Sequence, residues 1–342
     1  MQSTLGITIV TRPTRLQGLK QRWGTAGQAK FVLRAMHAHA NLAAEPPARA
    51  AKSKKSLRAA AAPAPQSEAG VEADFAMYQR EEDVYQSALD RLERELDFGL
   101  PVKVLDRSFV PNYDFSRSAV VVVLGQDGLV ANTAKYVGGL PIVAVNPDPA
   151  RIDGVLLPFQ VGDARNRVSN VLDGRFESRS VTLAEVNLND GQRMLAFNDF
   201  YAGASSHISA RYTIRVGDAA EPHSSSGVLV STGAGSTGWM SSVFNMTAGV
   251  ARMLGDEVEE RVKLDWEDRR LLWAVREPFV SKASRATLVA GVLAYGAEIV
   301  LESLMPSGGV IFSDGIESDY LAFNTGTIAT IRASKQRARL VV

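Results

Sequence analysis

The feature that most constrains the fold is an apolar run that ends in a polar, glycine-rich turn. Residues Ala119–Gly125 read AVVVVLG, and the chain turns polar at Gln126 and Asp127. A run that is apolar on both faces is typical of a strand that is covered on both sides of a parallel sheet. We therefore predict a central strand here, with the GQDG turn (125–128) at its carboxyl end.

Similar apolar runs lie on either side of this strand in the sequence. Val102–Asp106 (VKVLD) and Pro141–Asn146 (PIVAVN) read as strands, and Leu129–Tyr136 reads as a short helix. Strands that alternate with helices predict βαβ units and a parallel sheet. We predict a Rossmann-like N-terminal α/β domain, to which residues 74–177 contribute the part that carries the GQDG turn.

The first 39 residues are predicted to supply the first strand and helix of the same domain. Ile7, Ile9 and Val10 suit a buried parallel strand, and a helix is expected to follow through Leu33. Residues 1–44 contain basic but no acidic side chains, which also resembles an organelle transit peptide. We favour the strand, because the basic residues can then lie on one helix face.

Residues 40–73 are a different kind of segment, rich in Ala, Pro and Lys and without an apolar period. They contain only three large apolar side chains, Leu42, Leu57 and Val71, too few to build a core. We predict a flexible insertion. The alternative is a charged helix over Ala48–Ala62 that forms transiently.

From about Ser178 short strands with turn residues between them replace the alternating pattern. Asp190-Gly191 is a hairpin signal before RMLAFND (193–199), and residues 207–216 alternate between apolar and polar side chains. Further strands are expected at Gly227–Ser231, Leu271–Val275, Thr287–Leu293, Glu298–Ser303, Val310–Ser313 and Thr327–Arg332. With one helix at Gly238–Leu254, these features predict a β-rich domain over 178–342, whose chain end can return to the α/β domain.

Composition excludes several classes of protein. The chain has 342 residues, a length for which we expect two domains. A net charge of +1 gives no reason to expect a nucleic-acid partner. The chain has no cysteine, and its four histidines have no metal-ligand spacing, so we predict no metal site held by these side chains. No apolar run approaches the length of a membrane span, so we expect a cytoplasmic protein that does not enter membranes.

The GQDG turn is the first candidate site. Ligands bind at the carboxyl ends of strands in parallel sheets, and Gly125 and Gly128 can let backbone N–H groups approach a phosphate. Asp127 is the carboxylate at this tip and can accept a proton from a hydroxyl or lie near a phosphate-bound metal. Alternatively, Asp127 caps the following helix and Gly128 only permits the turn.

Two further stretches have the composition of binding sites. Residues Ser231–Trp239 (STGAGSTGW) bring hydroxyls and glycines to the start of a predicted helix, an arrangement that can hold phosphate or ribose oxygens. Alternatively, this is a glycine-rich loop with capping side chains. Asn198-Asp199 offer an amide and a carboxylate at a predicted strand end, where they can bind hydroxyl or amide groups of a ligand.

The order Gly-x-Asp-Gly, Asn-acidic, Ser-Thr-x-x-Gly-Ser-Thr resembles the ATP-NAD kinase family, within the NAD kinase and diacylglycerol kinase-like superfamily. The resemblance covers roughly 102–342 and implies transfer of a phosphoryl group from ATP or polyphosphate, with Mg²⁺, to the 2′-hydroxyl of NAD. It implies that Asp127 is the catalytic base. It also implies a nucleotide or phosphate loop with Gly125, Gln126, Gly128 and Asn146, and NAD contacts from Asn198, Asp199, Thr232, Gly235, Ser236 and Thr237. Asp314-Gly315 matches an Asp-Gly of the late strands.

Several positions depart from the family pattern and indicate a divergent branch. Gln126 replaces a glycine, Asp199 replaces a glutamate, and Gly238-Trp239 replace Ala-Tyr. The alternatives are therefore a kinase for another hydroxyl substrate, such as a sugar or a lipid, and a non-catalytic nucleotide-binding regulatory protein. We expect small-molecule nucleotide substrates and a homo-oligomer.

Overall fold

The structure is a computed structural model that describes residues 5–44, 68–256 and 262–342. The chain divides into two compact units. One is formed by residues 12–94, and the other by residues 95–342 together with the first strand. None of the described helices combines the length and the apolar character that crossing a membrane requires.

The smaller unit contains helices α1 (Arg15–Trp23), α2 (Ala26–Ala44) and α3 (Glu68–Glu95). At the start of α1 the Thr14 hydroxyl accepts the Gln17 backbone N–H, and the Gln17 side chain accepts the Thr14 N–H. This capping box satisfies two backbone donors that the helix itself leaves unpaired. The single helix predicted to run through Leu33 is instead two helices, because Gly24 ends α1 in a conformation with φ of 82°.

The ends of the predicted insertion at 40–73 differ from the prediction. α2 continues to Ala44 and α3 begins at Glu68, so the alanine-rich ends of the predicted range are helical. Residues 45–67, which include the alternative helix at 48–62, lie outside the described residues.

The larger unit is mainly β-structure, with helices α4 (Asp127–Ala134), α5 (Ala164–Leu172) and α6 (Trp239–Leu254) between strands. Its described strands, in chain order, are β1 (Gly6–Thr11), β2 (Val102–Asp106), β3 (Ser118–Leu124), β4 (Pro141–Asn146), β5 (Phe159–Gln160), β6 (Ser178–Leu188), β7 (Arg193–Ala196), β8 (Asp199–Ala204), β9 (Ala210–Val216), β10 (Ala219–Ser225), β11 (Val228–Ser231), β12 (Leu271–Val275), β13 (Ala290–Leu293), β14 (Glu298–Ser303), β15 (Gly309–Ser313), β16 (Tyr320–Ala322) and β17 (Ile328–Val341).

Strands β2, β1, β3 and β4 lie side by side in that order and are parallel. β1, β3 and β4 are almost wholly buried, as their apolar sequences predict. β1 has a partner on each side, which agrees with the interpretation of this segment as a strand of the sheet. The strand order reverses between β1 and β3, and such a switch point is where parallel sheets bind ligands. The GQDG turn directly follows β3.

The same sheet continues through β17 into the antiparallel strands β14, β9 and β10, whereas a second, antiparallel sheet has the order β13-β12-β11-β8-β15-β16. Side chains from both sheets form one buried core, including Tyr212 and Ile299 from the first sheet and Phe200 and Ile311 from the second. At its end β17 runs parallel to β4. The end of the chain therefore lies in the sheet that positions the GQDG turn.

The prediction that Asn198-Asp199 lie at the end of a strand is wrong. β7 ends at Ala196 and pairs with β6 in the first sheet, whereas β8 begins at Asp199 and pairs with β11 and β15 in the second. The chain passes from one sheet to the other at Phe197 and Asn198. Asn198 therefore lies between the two strands and Asp199 is the first residue of β8, so the pair does not end a strand.

Candidate functional site

The GQDG turn places Asp127 at the first position of α4. Gly125 is buried, and Gln126 is exposed and provides no side-chain cap for the helix. The Asp127 carboxylate instead accepts the backbone N–H groups of Leu156, at 2.9 Å, and Val155, at 3.2 Å. Asp127 therefore binds the loop that follows β4 and does not cap its own helix.

Asn146, the last residue of β4, holds this loop in shape. Its side-chain NH₂ donates to the Ile152 carbonyl at 2.8 Å, and its side-chain oxygen accepts the Asp148 N–H at 3.0 Å. Gly154 has a left-handed φ of 62°, and a Cβ there would lie 2.9 Å from the Asn146 nitrogen. Asn146 therefore positions the loop whose backbone N–H groups donate to the Asp127 carboxylate.

Asp314 fixes the segment between β7 and β8. Its buried carboxylate accepts the backbone N–H groups of Phe197 (3.1 Å), Asn198 (2.6 Å) and Asp199 (3.3 Å). Burial raises the pKa of Asp314, and the Lys135 ammonium, 3.4 Å away and also buried, opposes that rise. This ion pair and its hydrogen bonds set the orientation of Asn198 and Asp199.

The Asp199 side chain is in an unusual environment for a carboxyl group. The residue is only 6% exposed, and no described residue donates a hydrogen bond to its carboxylate. Burial, followed by the negative charge of Asp314, raises the pKa of Asp199 to about 7. A carboxyl group with such a pKa can release or accept a proton near neutral pH.

The loop between β11 and α6 packs against the 197–198 segment. The buried Thr232 hydroxyl donates to a carbonyl of that segment at 2.6 Å, and the Ser236 hydroxyl donates to a carbonyl within the loop at 2.7 Å. A Cβ at Gly235 would lie 2.1 Å from the other carbonyl oxygen of the segment, so a glycine is needed there. Thr237 is exposed at the end of the loop.

A cavity of about 420 Å³, which we call the Asp127 cavity, lies where these elements meet. Of the predicted site residues it brings together Asp127, Gly128, Asn198, Asp199 and Thr237. The predicted residues outside its lining are Gly125, Gln126, Asn146, Thr232, Gly235 and Ser236. The other lining residues are Val155, Leu156, Phe197, Ala234, Gly238, Trp239, Trp266, Asp314 and Gly315.

The amino end of α6 opens into this cavity through Thr237, Gly238 and Trp239. The helix has 16 residues, no acidic side chain in its first turn and no side-chain cap. This amino end, which carries the positive end of the helix dipole, can therefore bind an anion such as a phosphate. Among the described residues no group of three His, Asp or Glu side chains is arranged to hold a metal ion.

Sequence reasoning did not find Trp266, Lys135 or the backbone of residues 155–156. Trp266 belongs to no motif, and Lys135 cannot be distinguished from a surface lysine until its partner is known. The available signal was the Asp314-Gly315 pair, which the resemblance matched without giving it a role.

Comparison with known proteins bears on the fold. The sequence matches no protein-family profile and no curated protein sequence. Among solved structures it is similar to yeast NADH kinase complexed with NADH, with a TM-score of 0.54 and 15% identity over 100% of this chain and 84% of that chain. At this identity the similarity shows the fold alone. The chain thus has the predicted NAD kinase-like fold, a mixed sheet with helices and a separate antiparallel sheet.

Proposed function

We propose that this protein is an NAD kinase-like phosphotransferase, which transfers a phosphoryl group from ATP or polyphosphate to the 2′-hydroxyl of NAD and so forms NADP. The observation that carries the proposal is the cavity where Asp127, Asn198, Asp199 and the amino end of α6 meet. The similarity in fold to a kinase of a nicotinamide dinucleotide supports it.

In the proposed reaction Asp127 accepts the proton of the attacking hydroxyl. Its carboxylate accepts two backbone N–H groups and keeps lone pairs for a substrate, since a carboxylate has about four acceptor sites. The hydroxyl oxygen then bonds to the terminal phosphorus of the donor, and the bond from that phosphorus to the rest of the donor breaks. Asn198 and Asp199 bind hydroxyl and amide groups of the dinucleotide.

Phosphate groups would bind at the amino end of α6, near Thr237 and Gly238, where no side chain caps the helix. Magnesium would arrive as part of the donor substrate, because Mg²⁺ is commonly held by one or two carboxylates plus substrate phosphates. The Asp127 and Asp199 carboxylates in the cavity suit that requirement.

The test is an assay of NADP formation from NAD with ATP and Mg²⁺, or with polyphosphate, for the wild type and Asp127→Asn. A positioned general base contributes about 10²- to 10⁴-fold in rate, so we expect a loss of that order in kcat. Asp190→Asn is the matched control, because Asp190 lies exposed in the β6–β7 hairpin, and it should retain full activity. Full activity in Asp127→Asn would contradict the assigned role.

A second candidate is a nucleotide-binding protein without catalysis. It is favoured by the two backbone N–H groups on Asp127, because this carboxylate already has a structural task. In that case the wild type binds NAD or NADP in calorimetry but forms no product with either donor. Sugar and lipid hydroxyl acceptors, tested for phosphoryl transfer from the same donors, separate this outcome from a kinase with another substrate.

A further inference from the structure

A second cavity, of about 760 Å³, lies on the face of the second sheet that points away from the shared core. Tyr201 and Phe312 line it, and they alternate along β8 and β15 with the core residues Phe200 and Ile311. Its volume is in the range of small-molecule sites. Trp239 lines both this cavity and the Asp127 cavity.

Two aromatic residues at the floor of the cavity are nearly buried, Tyr201 at 7% and Phe312 at 8% exposed, whereas Tyr320 in its lining is 53% exposed. The centre of the Tyr201 ring lies 5.9 Å from that of the Trp239 ring, with an angle of 12° between the two ring planes, and 5.0 Å from that of the Phe312 ring. Its hydroxyl lies 2.9 and 3.2 Å from two backbone carbonyl oxygens, which hold the ring in place. A Cβ at Gly203 would lie 2.5 Å from this hydroxyl, and one at Gly227 would lie 2.7 Å from the ring. Two glycines thus make room for Tyr201 to lie flat on the sheet.

A single arginine supplies positive charge beside this floor. The Arg276 guanidinium lies 5.2 Å from the Trp239 ring centre and 5.9 Å from that of Tyr201. Its ion pair with Glu277 is long, at 3.7 Å, and the Glu277 side chain is 52% exposed. Such a pair is weak, so the guanidinium remains available to a ligand. Glu317 also lines the cavity.

We propose that this second cavity binds a nucleoside monophosphate, with the base on the exposed ring of Tyr320 and the phosphate at Arg276. Bases of every kind stack on aromatic side chains, and the planar guanidinium matches phosphate geometry. One arginine beside Glu277 and Glu317 suits a single phosphate, because these carboxylates repel a longer polyphosphate chain. The site is separate from the proposed phosphoryl-transfer site and does not depend on that reaction.

Titration calorimetry with AMP tests the proposal on the full chain. Arg276→Gln keeps the size and polarity of the side chain but removes its charge, so the affinity for AMP should fall about tenfold or more, as expected for loss of a charge-assisted contact. Arg270→Gln is the matched control, because Arg270 pairs with Asp268 outside the cavity and should leave the affinity unchanged. ATP without metal, and ribose 5-phosphate, which lacks the base, should bind more weakly than AMP.

Three results would overturn the proposal. The first is the absence of AMP binding at millimolar concentration, and the second is an unchanged affinity for AMP in Arg276→Gln. The third is loss of AMP binding in Asp127→Asn, which would place AMP in the Asp127 cavity. If Arg276→Gln does not fold, Tyr320→Ser replaces it, since Tyr320 is 53% exposed where it lines the cavity. The readout is binding, so failure to phosphorylate NAD would contradict the proposed function and leave this site untouched.

Discussion

At the scale of single residues, the buried Asp199 carboxyl predicts a specific pH dependence of stability. Its pKa is raised to about 7 in the folded protein by burial and by Asp314, whereas the unfolded chain has the ordinary value of 3.8. Between these values the folded state binds more protons, so its free energy of unfolding falls as pH rises towards 7. Asp199→Asn removes this effect. The stability of the variant relative to wild type should therefore increase from pH 5 to pH 7, by up to about 1.4 kcal/mol per pH unit, and then level off.

Urea unfolding at pH 5, 6, 7 and 8 measures this difference. Asp190→Asn is the control, because hydrogen bonds from Gln192 lower the pKa of Asp190. Asp190 is then ionised in both the folded and the unfolded protein across this range, and the difference between variant and wild type should be constant. A constant difference for Asp199→Asn as well would mean that Asp199 is already ionised at pH 5 in the folded protein.

At the scale of elements, the loop between β11 and α6 depends on close backbone contact. A methyl group at Gly235 would lie 2.1 Å from the Asn198 carbonyl oxygen, so the loop or the 197–198 segment must move. Overpacking of this kind destabilises by about 1–3 kcal/mol. We expect Gly235→Ala to lower the urea midpoint accordingly and to weaken ligand binding in the Asp127 cavity, because both shifted segments line it.

Gly249→Ala is the matched control for this prediction. Gly249 lies inside α6, and nothing lies within 4 Å of a Cβ built there. The same substitution in a helix should stabilise by about 0.5–1 kcal/mol, because glycine loses more backbone entropy on folding. Equal effects of the two variants would show that the contact at Gly235 relaxes without cost.

The same elements show what the sequence can and cannot predict. β2, β4, β12 and β14 have the predicted limits, because each is an apolar or alternating run with turn residues at its ends. β8 was missed, because the chain passes from one sheet to the other at Phe197 and Asn198 and the Asn198-Asp199 pair was interpreted as the end of a strand. β10 contains Pro222, which argues against a strand except at an edge, and β10 is the edge strand of its sheet.

The candidate site likewise contains some residues that short sequence motifs identify and others that only the tertiary structure identifies. Asp127 and the Asn198-Asp199 pair were found because they are short polar motifs beside apolar runs. Lys135 and Asp314 were not assigned their joint role, because they are far apart in sequence and meet only in the fold. A motif therefore identifies side chains that a cavity uses, whereas the buried groups that orient them require the tertiary structure.

At the scale of the whole molecule, we expect β17 to make the larger unit unfold as a single cooperative structure. Its first part pairs with β14 and β6, and Arg339 and Leu340 pair with β4 next to the strand that carries the GQDG turn. Leu340 is 5% exposed and packs in the core around β3 and β4. Loss of its side chain should therefore lower the stability of both sheets and not only of the parallel strands.

Native-state hydrogen exchange of Leu340→Ala tests this coupling. Truncation of a buried leucine destabilises by about 2–5 kcal/mol, and in one cooperative unit the most protected amides of β3 and β12 lose the same amount of protection. Lys335→Ala, an exposed position on the same strand, should change neither. If protection fell in β3 but not in β12, the two sheets would unfold independently, and β17 would not couple their stabilities.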